Sequence, residues 1–188
     1  SKSINEKYLP DIELSKIYTT MRLEECLENA EIIVLALPSS VILDVVKDVI
    51  PLLRPSHVLI DLAKGLSPEG GSISEAITEL LRAEKKLNPV AVMTGPTIAP
   101  EVAKGVITTA LIACKDHSIA DKLVQRLTTE HLLLHAADDP IGAELWGAYK
   151  NIVAVACGIS DGLKQIESFI EKFQRKVNEN DIVLAISQ

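Results

Sequence analysis

The sequence has few aromatic residues and no excess of positive charge, and both absences narrow its function. Aromatic side chains make up 3% of the 188 residues, too few for the stacking platforms that bind single-stranded nucleic acids or sugars. The net charge is −7, so no surplus of lysine and arginine is present to neutralise the phosphates of a nucleic acid. We therefore expect no nucleic-acid partner.

The sequence also lacks cysteines at the spacing of a metal site or a disulfide framework, and it lacks long apolar runs. Cys26, Cys114 and Cys157 are far apart and odd in number, which fits neither a metal site nor a disulfide framework. The first residues contain no apolar region of a signal peptide, and no run of about 20 apolar residues predicts a membrane span. With 47% hydrophobic residues the composition is globular, and we expect a cytoplasmic protein without a metal.

A glycine-rich phosphate loop is the most informative absence. A dinucleotide-binding sheet typically opens with a strand, a Gly-x-Gly-x-x-Gly loop and a helix, and this sequence contains no such segment. The glycine pair Gly70-Gly71 precedes a predicted helix and follows no strand. The first clear strand, at 31–38, therefore has the character of an interior strand.

Short apolar runs alternate with helical patterns along most of the chain. The predicted strands lie at 16–20, 31–38, 57–61, 90–93, 108–113 and 132–135. The predicted helices lie at 23–29, 41–49, 72–81 and 99–104, and from Asp116 or Ser118 to Leu127, with Ser39 and Ser40 as caps of the second. This alternation predicts an α/β fold with a parallel sheet and helices on both faces.

Three polar loops follow predicted strands of this sheet. They are Pro38-Ser39, Ala63-Lys64-Gly65 and Thr94-Gly95-Pro96-Thr97. Ligands of parallel sheets bind beyond the carboxyl ends of the strands, so we expect these loops to share one edge.

Residues 138–163 predict a helix with two unlike faces. The apolar face, which we expect in the core, consists of Leu145, Tyr149, Ile152, Val153, Ala156 and Ile159. The other face consists of Ala143, Gly147, Lys150, Ala154, Cys157, Gly158 and Asp161. A lysine in a partly dry place either has an anionic partner or holds its proton less tightly, and both serve chemistry. The alternative is a surface lysine on an alanine-rich helix.

Five motifs, in order and with compatible spacing, resemble those of the bacterial NAD(P)-dependent glycerol-3-phosphate dehydrogenases. They are Lys7-Tyr8-Leu9-Pro10, the run Ile33 through Ser39, Ile60-Asp61-Leu62-Ala63-Lys64-Gly65, Gly95-Pro96-Thr97-Ile98-Ala99 with Glu101 and Lys104, and Glu144 through Lys150-Asn151 to Leu163. The resemblance covers roughly residues 5–163.

The resemblance implies a partial Rossmann-like domain at 1–137 whose first βαβ unit is missing. It implies the first helix of a helical substrate domain at 138–163. Residues 164–188 match none of the motifs and predict an amphipathic tail helix.

The resemblance also implies roles for single residues. Lys150, beside Asn151, is the implied acid/base residue, and Lys64 is the implied contact of both cofactor and substrate. The remaining implied contacts are Gly95 and Thr97 with the substrate, and Pro38, Ser39 and Ala99 with the cofactor. Thr97 stands where the family usually has serine, and Ile98 where it has phenylalanine. The residues alone leave open that Lys64 caps strand-end carbonyls and that Thr97 is an ordinary turn hydroxyl.

The implied reaction interconverts glycerol 3-phosphate and dihydroxyacetone phosphate, with hydride transfer to NAD or NADP. We expect a homo-oligomer, and we expect that the chain alone does not turn over. One alternative is a non-catalytic interaction or oligomerisation module, suggested by the apolar helix faces. Another is a dehydrogenase of the same superfamily that acts on a hydroxy acid.

Overall fold

The computed structural model describes residues 4–68 and 70–162. The chain divides into two compact units, Ser1–Gly147 and Ala148–Gln188. The first unit contains every strand of the described residues. The predicted tail helix within 164–188 lies outside the described residues.

Seven strands and six α-helices make up the described residues. The strands are β1 (Ile4–Asn5), β2 (Leu9–Glu13), β3 (Ile32–Leu35), β4 (Val58–Asp61), β5 (Val90–Thr94), β6 (Thr108–Cys114) and β7 (Leu132–Ala137). The helices are α1 (Leu23–Leu27), α2 (Ile42–Val49), α3 (Ile73–Ala83), α4 (Ala99–Ala103), α5 (His117–Leu127) and α6 (Pro140–Gly162), with a 3₁₀ turn at Ile50–Leu52.

The main sheet has the strand order β3-β4-β5-β6-β7. Neighbouring strands are parallel except at one seam, where β6 runs antiparallel to β5 with Thr94 opposite Leu111. The predicted α/β fold is confirmed, with a sheet that is mostly parallel. The link from β5 to β6 contains only the five-residue α4, and a helix of that length, about 7.5 Å, is too short to return the chain along β5. The carboxyl ends of β3, β4 and β5 therefore share one edge with the start of β6.

Apolar side chains cover both faces of the central strands. On one face the buried set contains Leu59, Ile42, Val46, Ile73, Ile77 and Leu81, contributed by β4, α2 and α3. On the other face it contains Ile60, Ala91, Ile112, Ala120 and Leu123, contributed by β4, β5, β6 and α5. This burial on both faces explains why the strands are continuous apolar runs without alternation.

The N-cap residues of α3 and α5 agree with the sequence-based prediction, and that of α2 differs from it. Ser72 caps α3, with its Oγ accepting from the Glu75 N–H at 3.1 Å, and Asp116 caps α5. Val41 occupies the N-cap position of α2, so the prediction of a Ser39 or Ser40 cap is wrong. The chain turns there through its backbone, because the Pro38 carbonyl accepts the Val41 N–H.

The predicted strand at 16–20 is wrong. The Leu14 carbonyl accepts the Ile17 N–H at 2.9 Å, which closes a turn where that strand would begin. Thr20 instead leads into α1, because its Oγ1 donates to Glu25 at 2.7 Å. An antiparallel hairpin of β1 and β2 precedes this turn.

A polar network holds the amino end of β4. The Asn88 Nδ2 donates to the carbonyls of Arg54 (2.7 Å) and His57 (2.9 Å), just before the strand begins. The Arg54 Nη2 donates to the carbonyls of Leu27, the last residue of α1, and of Ala30, just after that helix. His57 is fully buried, so this edge of the sheet is fixed by buried hydrogen bonds.

The predicted core face of α6 is exposed. Tyr149, Ile152 and Ile159 are 51%, 63% and 60% exposed, while Leu145 and Val153 are half-buried. Helical periodicity identifies an apolar face and does not identify the polypeptide that covers it. That part of the core prediction is therefore wrong.

Candidate active site

A cavity of about 330 Å³ lies where β3, β4 and β5 end. It is lined by Ala36, Leu37, Leu62, Ala63, Lys64, Met93, Thr94, Gly95 and Thr97. The lining combines apolar side chains with an ammonium group and two hydroxyls. The predicted meeting of the three strand-end loops at one edge is confirmed by this arrangement.

The loops after β3 and β4 are in contact. Gly65 has a positive φ of 139°, and a Cβ built on it would lie 3.4 Å from the Ser39 Oγ. Pro38 is exposed and Ser39 half-buried beside this contact. The structure thus brings two predicted cofactor residues next to the turn that carries Lys64.

Asp61 shapes the turn after β4. It is fully buried, and its Oδ1 accepts the Ala63 N–H at 2.8 Å. The Leu62 N–H still donates to the Leu35 carbonyl, so the ladder with β3 continues to this point. Lys64 follows directly, with an exposed side chain at the cavity wall.

A second buried carboxylate lies near Asp61. Glu144, in the first turns of α6, accepts the backbone N–H groups of Ile73 and Ser74 at the start of α3. Burial raises the pKa of Asp61 to about 7, with a further contribution from the negative charge of Glu144. The N–H groups at a helix start favour a carboxylate, so Glu144 has the better site for a negative charge.

Gly95 is required by a close approach to β6. A Cβ at this position would lie 2.9 Å from both the Ala110 Cα and the Thr109 carbonyl oxygen, which are backbone atoms. Thr97 follows in a tight turn, with its N–H donating to the Gly95 carbonyl at 2.9 Å. Ala99, the first residue of α4, is exposed and does not line the cavity.

The first turns of α6 pack on the end of β5. A Cβ on Gly147 would lie 2.6 Å from the Thr94 Oγ1, so the glycine allows the helix backbone to approach this hydroxyl. Thr94 also lines the cavity.

Lys150 and Asn151 belong to the second compact unit. The Lys150 side chain is exposed, as is Ala154 on the same face of α6. Of the two alternatives for Lys150, the structure shows the surface lysine, because small neighbours alone do not exclude water. Its acid/base role and that of Asn151 stay predictions.

The contacts of Asp61, Glu144 and Thr94 were not predicted from the sequence. Asp61 ends an otherwise apolar strand, and Glu144 interrupts an apolar helix. A charged residue in an apolar run is a signal for a buried polar contact, although it does not identify the partner.

A largely parallel sheet with helices on both faces, and a cavity at the carboxyl ends of its parallel strands, define the chain as a Rossmann-like α/β protein. Two family models match it: the N-terminus of NAD-dependent glycerol-3-phosphate dehydrogenase over residues 1–120, and the C-terminus of the same family over residues 139–177. The chain belongs to this family. The second match extends beyond Leu163, into the segment where the motifs show no resemblance.

Curated relatives give the same result. A glycerol-3-phosphate dehydrogenase [NAD(P)+] of Listeria monocytogenes is 39% identical over 161 residues, which are 85% of this chain and 47% of the relative. One of Exiguobacterium is 39% identical over 165 residues, 87% of this chain and 48% of the relative. The chain spans about half the length of the curated relatives it matches.

Solved structures share the fold. A crystal structure of glycerol-3-phosphate dehydrogenase from Coxiella burnetii has a TM-score of 0.74 and 32% identity, covering 87% of this chain and 49% of its own. The Plasmodium falciparum glycerol-3-phosphate dehydrogenase has a TM-score of 0.80 at 24% identity, covering 95% of this chain and 50% of its own. Among the helices of the described residues, none has the length and apolar character to cross a bilayer.

Proposed function

We propose that this chain forms part of the active site of a glycerol-3-phosphate dehydrogenase, which interconverts glycerol 3-phosphate and dihydroxyacetone phosphate with NAD or NADP. The observation that carries the proposal is that Lys64, Gly95 and Thr97 line one cavity at the strand ends. Membership of the family supports the reaction class. The NAD(P) and the three-carbon phosphate enter here as proposed ligands.

The cavity has the chemistry for these ligands. Its volume of about 330 Å³ is within the range of small-molecule sites, at roughly 300–1,000 Å³. The apolar side chains of Leu37, Leu62 and Met93 suit the flat face of a nicotinamide ring. Such a ring, when bound, supplies the hydride acceptor.

The charged and hydroxyl groups have separate proposed tasks. Lys64 stabilises the negative charge of the substrate phosphate or of the alkoxide oxygen, and Gly95 and Thr97 orient the substrate. Pro38, Ser39 and Ala99 contact the cofactor. Lys150, beside Asn151, takes the proton of the C2 hydroxyl in oxidation and returns it to the carbonyl oxygen in reduction.

Binding and turnover experiments with the 188-residue chain test the proposal. We expect calorimetry to detect glycerol 3-phosphate in the wild type and to show affinity about tenfold weaker in Lys64→Ala, because a phosphate loses a charged partner. Lys122→Ala, an exposed lysine of α5, is the matched control and is expected to bind as the wild type does. Wild-type affinity in Lys64→Ala would contradict the assignment of Lys64.

Lys150 is tested by turnover. Where the wild type oxidises NADH or NADPH in the presence of dihydroxyacetone phosphate, we expect Lys150→Ala to lower kcat by about 10²–10⁴-fold, the usual contribution of a positioned acid. Turnover by the chain alone would overturn our expectation that it is inactive. Unchanged turnover in Lys150→Ala would remove Lys150 from the mechanism.

A second candidate function is that of an interaction module, and α6 supplies the observation that favours it. Tyr149, Ile152, Val155 and Ile159, at helical spacing, are each at least half exposed. Exposed apolar stripes of this kind mark interaction surfaces, and this one supports a homo-oligomer. Light scattering at several concentrations tests this function, and a monomer at every concentration counts against it.

We propose a cytoplasmic location. Cys26, Cys114 and Cys157 are all free thiols, which suits a reducing compartment. Fractionation of cells that express the tagged protein tests this, and a membrane or extracellular fraction contradicts it.

A further inference from the structure

The connection between β4 and α3, residues 62–72, carries Lys64 to the cavity. Its described residues include hydrogen bonds from the Ser67 N–H to the Gly71 carbonyl (3.0 Å) and from the Gly70 N–H to the Ser67 carbonyl (2.9 Å). These bonds shape the middle of the connection. The position of its two ends depends on other groups.

Asp61 holds the first end. Its carboxyl group is fully buried and its Oδ1 accepts the Ala63 N–H at 2.8 Å, which fixes the backbone one residue before Lys64. Within the described residues, the other oxygen, Oδ2, is buried and has no hydrogen-bond partner. A polar group in such a place is unfavourable for folding, so its presence requires an explanation.

Glu144 holds the second end. Its carboxylate, 3% exposed, accepts the N–H groups of Ile73 and Ser74, the first two residues of α3. Ser72, the last residue of the connection, caps the same helix start. Because Glu144 belongs to α6, this contact also joins the connection to the helix that packs on Thr94.

The two carboxyl groups are electrostatically coupled. The negative charge of Glu144 contributes to the raised pKa of Asp61. Neither side chain lines the cavity, so an effect of either one on a ligand is indirect.

We infer that Asp61 and Glu144 are positioning residues that together hold the connection 62–72, and so place Lys64 at the cavity. The importance of Lys64 for ligand binding rests on the proposed function. The placement of Lys64 does not, and it can be measured without a ligand.

The Asp61 variants form a matched pair. Asp61→Asn keeps an oxygen that accepts the Ala63 N–H, whereas Asp61→Leu keeps the branched shape of the side chain and has no acceptor. We measure the rate at which N-acetoxysuccinimide acetylates Lys64, relative to Lys122 in the same molecule, by peptide mass spectrometry. We expect the wild-type ratio in Asp61→Asn and a severalfold higher ratio in Asp61→Leu, because a released connection no longer holds Lys64 at the cavity wall.

The Glu144 variants form a graded series. Glu144→Gln keeps one acceptor oxygen for two N–H groups, and Glu144→Leu keeps none. We expect the acetylation ratio of Lys64 to rise in Glu144→Gln and to rise further in Glu144→Leu. Amide hydrogen exchange at Ala63, Ile73 and Ser74 reports whether each substitution released the intended bond.

The same variants are titrated with glycerol 3-phosphate. We expect Asp61→Leu and Glu144→Leu to weaken binding by about tenfold, with Asp61→Asn restoring the wild-type affinity. A purely structural role would change thermal stability and leave the Lys64 ratio and the affinity unchanged.

The outcomes separate the two proposals. The positioning role is overturned if hydrogen exchange shows released amides at Ala63, Ile73 and Ser74 while the acetylation ratio of Lys64 is unchanged or lower. A wild type that does not bind glycerol 3-phosphate, but whose Lys64 ratio follows the predicted order, contradicts the proposed function and supports the positioning role. Circular dichroism shows whether the leucine variants fold. If they do not, Glu144→Gln tests the positioning role. A released amide at Ile73 or Ser74 with the wild-type acetylation ratio of Lys64 in that variant rejects the role.

Discussion

At the scale of single residues, Asp61 and His57 are buried titratable groups. A change of pH alters the stability of the protein in opposite directions through these two groups. Burial raises the pKa of Asp61, and burial together with the positive charge of Arg54 lowers the pKa of His57. Both side chains are completely inaccessible to water. Each change is a difference between the folded and unfolded states, so each makes the free energy of unfolding depend on pH.

Asp61→Asn is expected to stabilise the protein above pH 7. The folded-state pKa of Asp61 is raised from 3.8 to about 7, so its contribution is most favourable below pH 3.8 and is lost as pH rises towards 7. Each unit of pKa corresponds to about 1.4 kcal/mol, so removing the charge stabilises by up to about 4 kcal/mol at pH 8. Urea unfolding of wild type and variant at pH 5 and pH 8 measures this difference.

Asp48→Asn, at an exposed position of α2, serves as the control and is expected to change stability little at either pH. An Asp61→Asn variant that is less stable than the wild type at pH 8 would show that Asp61 is ionised and favourably placed in the folded state.

His57→Gln is expected to remove a loss of stability at mildly acidic pH. The folded-state pKa of His57 lies below 6.5, so the wild type loses stability as pH falls below 6.5, where the unfolded histidine takes up a proton. The His57 Nδ1 accepts the Arg54 N–H at 3.1 Å, and a proton there would remove the acceptor. Glutamine retains an acceptor and does not titrate.

The quantity to compare is the difference in unfolding free energy between wild type and His57→Gln from pH 7.5 to pH 5. Asp61 titrates over part of this range with the opposite sign and cancels in the difference. His135→Gln, at an exposed position of β7, is the control. A pH-independent difference for His57→Gln would contradict the assignment.

At the scale of elements, the contact between β5 and α6 is the closest approach next to the cavity. The Thr94 hydroxyl occupies the space that a side chain at Gly147 would take, with 2.6 Å between the Oγ1 and the built Cβ. The packing of this helix on the sheet therefore depends on a hydroxyl and a glycine together.

Gly147→Ala is expected to destabilise by about 1–2 kcal/mol, because the new methyl group forces the Thr94 side chain or the helix to move. Thr94→Ala removes the Oγ1 and leaves the Cβ at 3.6 Å, so the double variant should recover most of the loss. Thermal and urea unfolding of the four proteins give the coupling energy. Additive effects of the two substitutions would show that they do not share this contact.

Gly158→Ala provides the matched control on the same helix. None of the described residues lies within 4 Å of a Cβ built at this position. Alanine is the better helix former, so we expect a small gain of about 0.5–1 kcal/mol where glycine only weakens the helix.

The sequence predicts the strands and helices whose sequence pattern lies within the element itself or directly before it. The strands around Leu59 and Val92 are continuous apolar runs, and the caps Ser72 and Asp116 precede their helices directly. The cavity loops could be placed because parallel strands bring their carboxyl ends together. The reversal of β6 was missed, since the strength of an apolar run contains no direction.

The site was predicted less completely because its supporting contacts are distant in sequence. Glu144 and Ile73 are 71 residues apart, and no spacing rule connects them. The exposure of Lys150 stayed open in the sequence, because small neighbours show what can approach a side chain and do not show what covers it. Lys64, Gly95 and Thr97 were found because each lies in a loop that begins at the end of a strand.

At the scale of the whole molecule, the net charge of −7 sits on a chain that spans about half of its curated relatives. Ion pairs on the surface are few among the described residues, and one of them joins distant parts of the chain, between Arg126 after β6 and Glu31 before β3. Such exposed pairs contribute little to stability, because water and salt screen their charges. The stability of the first unit therefore depends mainly on its two apolar cores and on the buried polar groups.

The buried polar groups at the two ends of β4 differ in their hydrogen bonding. At its amino end, His57 and Asn88 complete buried hydrogen bonds. At its carboxyl end, one oxygen of Asp61 has no hydrogen-bond partner among the residues that the structure describes. A strand of four residues is about 13 Å long, so the end with complete hydrogen bonds and the end at Asp61 are close together. A substitution such as Asp61→Asn can therefore gain stability at the carboxyl end of this strand, whereas the polar groups at the opposite end already have hydrogen-bond partners.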